Sequence, residues 1–406
     1  MIVPRWIQTR DDAAMVKAAT QLFRSHFGED PEGVWAAPGR VNVIGDHVDY
    51  AGGISIPFAL KANTAVAIRR SGAPNYRVVS LAPGETEAAR VDIPINEVGP
   101  GNPNSWAGYV VGAVWAAIEA GVIHCAEGLD MAIVSDVPVG SGLSSSAALE
   151  CSAALGALEL ASGRKATDAE RSALVDACIR AENEVVGAST GGLDQRASLY
   201  GEEGKALVID FQSGNTELVP FDLSGHGLAL LIADTNAPHA LNDGQYASRR
   251  GVIDEVTAAC DANTLREVDN AVARAAAWAK TEGKDVEVTC KRVKHVVEET
   301  DRTARAAQAL QADDLVLFAK LMRDSHESLR DQYEVVTPEL ESVFQAVGER
   351  GSRMTGGGFG GSVITLVAEE EVEQVAEAIT KAAEEKEFPE PTFMVATPGA
   401  GARRIA

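Results

Sequence analysis

The sequence predicts an α+β protein of two domains. Three observations carry that prediction. The chain has 406 residues, and at roughly 150 residues per domain this suits two domains or one large one. Strand-like and helix-like segments are mixed without the regular alternation of a parallel α/β fold. Apolar residues make up 46% and charged residues 23%, a globular balance too apolar for a disordered chain.

Each element follows from its local pattern. Asp11 to Phe27 repeats Met15, Ala18, Ala19, Leu22, Phe23 and Phe27 at helical spacing. Pro31 to Pro57 is punctuated by Pro and Gly and reads as polar positions between short apolar runs. Ala62 to Arg69, Tyr76 to Leu81 and Leu129 to Val134 read as short strands. Asn104 to Ala120 places Trp106, Tyr109, Val110, Ala113, Val114, Ala117 and Ile118 on one helical face. Ser145 to Leu160 and Asp168 to Val186 are further predicted helices. Leu228 to Ala233 is strand-like, and two long helical patterns follow, Arg250 to Lys280 and Lys291 to Gln311. The chain closes on strand Ser362 to Val367, helix Glu369 to Glu385 and strand Pro391 to Ala396. The polar stretch near Phe211 to Gly227 is the predicted boundary, dividing the chain into 1–220 and 221–406.

With 36 basic and 59 acidic side chains the formal charge is −23. That argues against nucleic acid or anionic membrane as partners, since both need clustered Lys and Arg. Five cysteines (Cys125, Cys151, Cys178, Cys260 and Cys290) are spread widely without a C-x-x-C, so neither a disulfide framework nor a zinc ribbon is expected. The start, MIVPRWIQTRDD, lacks a signal-peptide pattern, and no apolar run reaches membrane-spanning length. The expectation is a cytoplasmic protein with buried free thiols.

Three clusters carry chemistry. Asp136-Val-Pro-Val-Gly-Ser-Gly-Leu-Ser-Ser-Ser-Ala-Ala-Leu-Glu150 follows a strand pattern and opens a helix. Gly140 and Gly142 permit backbone that aims successive N–H groups into one concavity. Ser144, Ser145 and Ser146 add hydroxyls where a helix N-terminus supplies partial positive charge. This is a phosphate cradle without a lysine; a Gly/Ser turn with an N-cap serine is the plainer alternative. No P-loop motif is present. The run Thr355-Gly-Gly-Gly-Phe-Gly-Gly361 formally matches G-x-G-x-x-G, but a strand follows it instead of a helix. It fits better as a loop that approaches another segment or a ligand closely.

The third cluster is Ala37-Pro-Gly-Arg-Val-Asn-Val-Ile-Gly-Asp-His-Val-Asp-Tyr50. One guanidinium, two carboxylates and an imidazole on a short glycine-punctuated segment suit a polyhydroxylated ligand, because carboxylates accept hydrogen bonds from sugar hydroxyls. Metal binding by Asp46, His47 and Asp49 is the rival reading, and a solvated turn is the plainest.

Taken together and in order, these clusters resemble the GHMP small-molecule kinases and, within them, the galactokinase family. P-G-R-V-N-V-I-G-D-H-V-D-Y resembles that family's sugar signature, P-V-G-S-G-L-S-S-S-A-A its ATP loop and M-T-G-G-G-F-G-G its third motif. Ala181-Glu-Asn-Glu-Val-Val-Gly-Ala-Ser-Thr-Gly-Gly-Leu-Asp-Gln195 resembles the segment with the magnesium-binding glutamate and the catalytic aspartate. The resemblance covers nearly the whole chain.

It implies MgATP-dependent phosphorylation of the anomeric hydroxyl of α-D-galactose by direct in-line transfer. Asp194 takes the place of the catalytic base. Arg40 would lie beside it, its opposite charge favouring the carboxylate and stabilising the transferring phosphoryl group. Asp46, His47, Asp49, Gly191 and Tyr246 match sugar-contacting positions. Gly140, Ser141, Gly142, Leu143, Ser144, Ser145 and Ser146 would hold the triphosphate, with the Ser146 hydroxyl and Glu182 on Mg²⁺. Ser80 and Trp106 match nucleotide-side positions. The implied fold has an N-terminal domain related to ribosomal-protein S5 domain 2 and a ferredoxin-like C-terminal domain, with the site between them. The implied partners are a small sugar and MgATP, with the protein acting as a monomer.

Two features qualify the substrate. The family commonly has Glu where this chain has Asp46, so a kinase for N-acetylgalactosamine or arabinose is the nearest alternative. A sugar- and ATP-binding sensor without catalysis is the other; the Ser146-Ala147 pair missing from the known sensor is present here. The resemblance also implies a cationic pocket bounded by Arg40 and Gly140 to Ser146, with backbone N–H groups supplying positive potential inside an acidic envelope.

Overall fold

The long strand Pro57–Arg70 organises the first half of the molecule. It pairs antiparallel with Gly33–Asn42 on one side and with Leu129–Ser135 on the other. The structure, a computed structural model, describes residues 3–82, 84–124, 127–188, 190–237 and 242–406; Cys125 and Ser189 lie outside the described residues. The full order of this six-stranded sheet is Arg403–Arg404, Gly33–Asn42, Pro57–Arg70, Leu129–Ser135, Asn75–Leu81 and Ala89–Pro94. Successive side chains point to opposite faces, and the faces bury different helices. Trp35, Val66, Ile68 and Met131 pack under the helices Trp106–Glu119, Ser145–Ser162 and Asp168–Arg180. Val34, Ala65, Ala67 and Ala132 pack on Met15, Ala19 and Phe23 of the helix Asp12–Phe27.

A five-stranded sheet follows in the second half, in the order Arg5–Trp6, Thr392–Ala396, Leu228–Asp234, Ser362–Ala368 and Ser352–Thr355. A small sheet of Ile54–Ser55, Lys205–Asp210 and Thr216–Pro220 completes the strands. The two larger sheets exchange end strands: Arg5–Trp6 joins the second, and Arg403–Arg404 joins the first. One apolar cluster runs between the halves, with Val41, Ile44 and Phe58 against Leu230, Ile232, Ile364 and Phe318. Among the described residues no helix is long and apolar enough to cross a membrane.

The α+β class holds, with three local corrections. Pro31 to Pro57 is not an irregular stretch, because Gly33–Asn42 is a ten-residue strand buried at every position. Arg250 to Lys280 is not one helix. It divides into Asn242–Ala259 and Ala271–Glu282, with Asp261 and Asn270 in left-handed conformation at the break. Asp168 to Val186 changes character, since α-helix ends at Arg180 and a π-helical turn spans Ala181–Val186.

Candidate active site

The loop before the helix Ser145–Ser162 is built on left-handed backbone and leaves the helix without a side-chain cap. Gly140, Gly142 and Ser144 all have positive φ, at 77°, 75° and 59°. The Ser144 side chain does not cap its own helix; its hydroxyl donates instead to Asp194 Oδ2. The first N–H groups of an eighteen-residue helix are thereby left without a side-chain cap, the condition for phosphate binding at a helix N-terminus. The loop Thr355–Gly361 lies against this turn. A Cβ on Gly361 would come within 3.0 Å of the Ser141 carbonyl, and one on Gly356 within 3.0 Å of the Gly142 carbonyl. Ser362 Oγ donates to the Ser141 carbonyl at 2.7 Å. The second glycine run is thus a close backbone approach, as its residues predict.

Arg40 joins the loop to the reacting side. Its Nε donates to Asp194 Oδ1 at 2.7 Å, and its Nη1 to the Gly142 carbonyl at 2.5 Å. The Arg40 N–H bonds the Leu143 carbonyl at 3.0 Å, while the Leu143 side chain belongs to the core. Asp194 sits in the first turn of the short helix Leu193–Tyr200, behind Gly192 at φ 91°.

Arg40, Asp46, His47, Asp49, Glu182, Asp194 and Tyr246 line one polar cavity of about 140 Å³, with Thr190, Leu193, Gly356 and Gly357. A larger cavity of about 650 Å³ lies against the helices Ala271–Glu282 and Val286–Gln311, but its walls are mostly Ala and Val side chains. The smaller cavity is the candidate site because the titratable groups converge there. Gly191 packs beside it: a Cβ at that position would overlap the Asp49 carboxylate. His47, with φ 62°, bonds the Gly357 carbonyl through Nε2 at 3.1 Å. Its ring lies 5.3 Å from that of Tyr246 and 4.7 Å from that of Tyr333. Burial, then the neighbouring His295, lowers the His47 pKa to about 3, so the ring is a neutral hydrogen-bonding group.

This cavity is acidic, and the Gly140 to Ser146 loop of the expected cationic pocket does not line it. Among the described residues Arg40 is its one lining cation, against Asp46, Asp49, Glu182 and Asp194. Burial, then Asp194, raises Asp49 to about 6. Burial, then Asp194, likewise raises Glu182 to about 7, opposed by hydrogen bonds from Gln195 and Ser146. Gln195 Nε2 bridges Glu182 Oε2 at 2.8 Å and the buried Glu150 Oε2 at 3.0 Å. A buried carboxylate short of positive charge, with a serine hydroxyl at hand, fits a hard cation that takes oxygen ligands. Among the described residues no group of three or more His, Cys, Asp or Glu could hold a metal alone. Asp46, His47 and Asp49 therefore do not form the metal centre that their sequence allowed.

Ser80 and Trp106 do not line the cavity. Ser80 lies on the strand Asn75–Leu81, and Trp106 opens its helix and packs on the first core. Glu150, Gln195, Tyr333 and Arg353 support the site, and none stands out in the sequence. Gln195 follows Asp194 directly, which was the one available signal for it.

Comparison with known proteins decides the family. The galactokinase galactose-binding signature matches residues 21–70, the GHMP kinase N-terminal domain residues 108–202, and the GHMP kinase C-terminal domain residues 306–385. The galactokinase of Streptomyces coelicolor is 38% identical over 396 residues, covering 97% of this chain and 99% of that protein. The chain belongs to the galactokinase family. The galactokinase of Homo sapiens is 39% identical over 366 residues, covering 87% of this chain and 88% of that protein. Lactococcus lactis galactokinase, solved complexed with galactose, superposes with a TM-score of 0.84 at 30% identity, covering 96% of this chain and 99% of that chain. Mevalonate kinase from L. major, at 18% identity and a TM-score of 0.59 over 92% of this chain and 99% of that one, shares the fold. The two-domain GHMP kinase fold implied by the four motifs is thereby established.

Proposed function

We propose that the protein transfers the γ-phosphoryl group of ATP to the anomeric hydroxyl of α-D-galactose, giving galactose 1-phosphate and ADP. The observation that carries this reading is Arg40. One guanidinium binds the Asp194 carboxylate of the sugar cavity and the Gly142 carbonyl of the phosphate loop, so the two substrates meet at a single side chain. Lactococcus lactis galactokinase, solved with galactose, supports the choice of sugar.

The residues divide the work by chemistry. Asp194 accepts the proton of the attacking hydroxyl as the O–P bond forms, general-base help typically worth about 10²–10⁴ in rate. Arg40 orients Asp194 and offsets charge on the phosphoryl group in flight, where positioning and electrostatics dominate. Gly140 to Ser146 cradle the phosphates with backbone N–H groups, and Ser80 and Trp106 serve the nucleotide side. Asp46, His47, Asp49, Gly191 and Tyr246 bind and orient the sugar. Glu182 and the Ser146 hydroxyl would hold Mg²⁺, which when bound neutralises phosphate charge. In this reading 1–220 forms the sugar- and ATP-binding lobe and 221–406 the second lobe, the exchanged end strands apart. The setting is a monomer in the cytoplasm, which the free thiols Cys151, Cys178, Cys260 and Cys290 fit.

The test is sugar-dependent ADP release with galactose, N-acetylgalactosamine, arabinose and glucose. Galactose is expected to give the highest kcat/KM. A higher value for another sugar overturns the substrate, and no turnover with any sugar overturns the enzyme in favour of a sensor.

A further inference from the structure

We propose that Arg353, which does not touch the cavity, is a positioning residue that sets sugar specificity by clamping Asp46 in the cavity wall. The inference rests on the galactose-kinase reading and concerns how one of its sugar contacts is built.

Arg353 is fully buried on the strand Ser352–Thr355 of the second sheet. Its Nη2 donates to Asp46 Oδ2 at 2.6 Å, and its Nη1 donates to the Asn42 carbonyl at 3.3 Å. Asn42 Nδ2 donates in turn to the other Asp46 oxygen, Oδ1, at 2.8 Å. Arg353, Asn42 and Asp46 therefore close a small ring in which the carboxylate cannot rotate without breaking a bond. The guanidinium is itself fixed from behind. Glu299 Oε1 lies 4.0 Å from Nη2, and Glu299 is held by the Gly45 N–H at 3.1 Å, by Ser325 Oγ at 2.6 Å and by Arg302. The clamp thus ties the second half of the chain to the sugar loop.

Its consequence is chemical. An ionised carboxylate offers about four lone-pair sites, and Asn42 and Arg353 together occupy two. Burial raises the Asp46 pKa and Arg353 is the first charge that opposes the shift; in its ionised form Asp46 faces the cavity as an acceptor with no donor of its own, aimed in one direction. Such a group demands a hydroxyl and penalises a sugar that lacks one at the matching position, because the buried acceptor is then left unpaired. Without Arg353, Asp46 would be a buried charge beside Asp49 and Asp194 with its strongest counter-charge gone. A lysine keeps the charge but not the planar fork that spans Asp46 and the Asn42 carbonyl.

The test compares wild type with Arg353→Lys and with the charge-neutral pair Arg353→Met/Asp46→Asn. Binding of galactose and of its singly deoxygenated analogues is measured by calorimetry, alongside turnover. Wild type is expected to lose about 10- to 100-fold in affinity for one deoxy analogue. In both variants that penalty shrinks to about threefold or less, and the galactose KM rises about tenfold while the ATP KM holds. The neutral pair covers the case in which Arg353→Lys fails to fold. Variants that keep the wild-type deoxy pattern overturn the clamp. So does a parallel loss of kcat, ATP affinity and melting temperature, which marks a purely structural role. Wild type that binds galactose in this pattern without phosphorylating it overturns the kinase reading and leaves the clamp standing.

Discussion

Replacing Asp194 with Asn removes one charge and almost no volume, which separates chemistry from architecture. In the protein Asp194 Oδ1 accepts from Arg40 Nε at 2.7 Å, and Oδ2 accepts from the Ser144 hydroxyl. An asparagine carbonyl takes over the first bond. Its amide nitrogen then faces Ser144 Oγ, which reverses from donor to acceptor. The Arg40 bond therefore keeps its charged donor and loses its charged acceptor while the Ser144 bond becomes neutral, a cost of about 1–2 kcal/mol, or a few °C in Tm for a large domain. Catalysis loses its proton acceptor, so kcat is expected to fall by about 10²–10⁴, equivalent to roughly 2.7–5.4 kcal/mol of activation free energy. The galactose KM should move by less than about tenfold, because Asp46, His47 and Asp49 keep their places. Steady-state ADP release at saturating substrates, with a thermal melt of the same sample, reads both effects. A variant that melts within a few °C of wild type and retains kcat within tenfold refutes the base assignment.

Glu182→Gln should raise the Mg²⁺ concentration needed for half-maximal activity by tenfold or more. The same variant has a pH signature in the metal-free protein. Burial holds the folded Glu182 pKa near 7, above the ordinary value of 4.5, so its stability contribution is complete below about pH 4.5 and lost as pH rises through 7. Wild type and variant should melt together near pH 5, with the glutamine protein the more stable by pH 8; equal melting at both pH values would contradict the burial argument. Gly191→Ala places a methyl on the Asp49 carboxylate and should raise the galactose KM at least tenfold with little change in the ATP KM, measured by varying each substrate in turn. Gly361→Ala combines a positive φ of 84° with a Cβ 3.0 Å from the Ser141 carbonyl. A left-handed alanine costs roughly 1–2 kcal/mol, and nucleotide affinity should fall as the two loops part, read by calorimetry with an ATP analogue.

Legibility in the sequence followed the physics of each segment. Helices with one apolar face, such as Asp12–Phe27 with its Asp11 cap, carry a period that survives in the chain alone. Gly33–Asn42 does not, because a strand buried on both faces has no alternation to display. Pro38 and Gly39 also disguise it, at a register shift between Pro38 and Arg40. The break after Ala259 was hidden because the apolar spacing continues across it, and the turn rests on Asp261 and Asn270 in a conformation that these residue types tolerate. The site divides the same way. Arg40, Asp46, His47 and Asp49 sit within ten residues of one another in the sequence, so their charges announced themselves. Arg353 and Glu299 act from segments that meet the loop only in the folded state. Nothing in a lone buried arginine or a mid-helix glutamate marks its partner.

The exchanged end strands bear on how the protein is made. Trp35 and Ala36 gain their last β-partners from Arg404 and Arg403, and Arg5 and Trp6 pair with Thr392 and Phe393. On a ribosome, the first sheet stays open along one edge until Arg403 and Arg404 have been translated. Contacts between residues this far apart in sequence are entropically slow to form, so these end pairings are expected to close after the rest of each sheet. A nascent chain stalled ahead of Thr392 would carry two unpaired β-edges, a template for association with its neighbours.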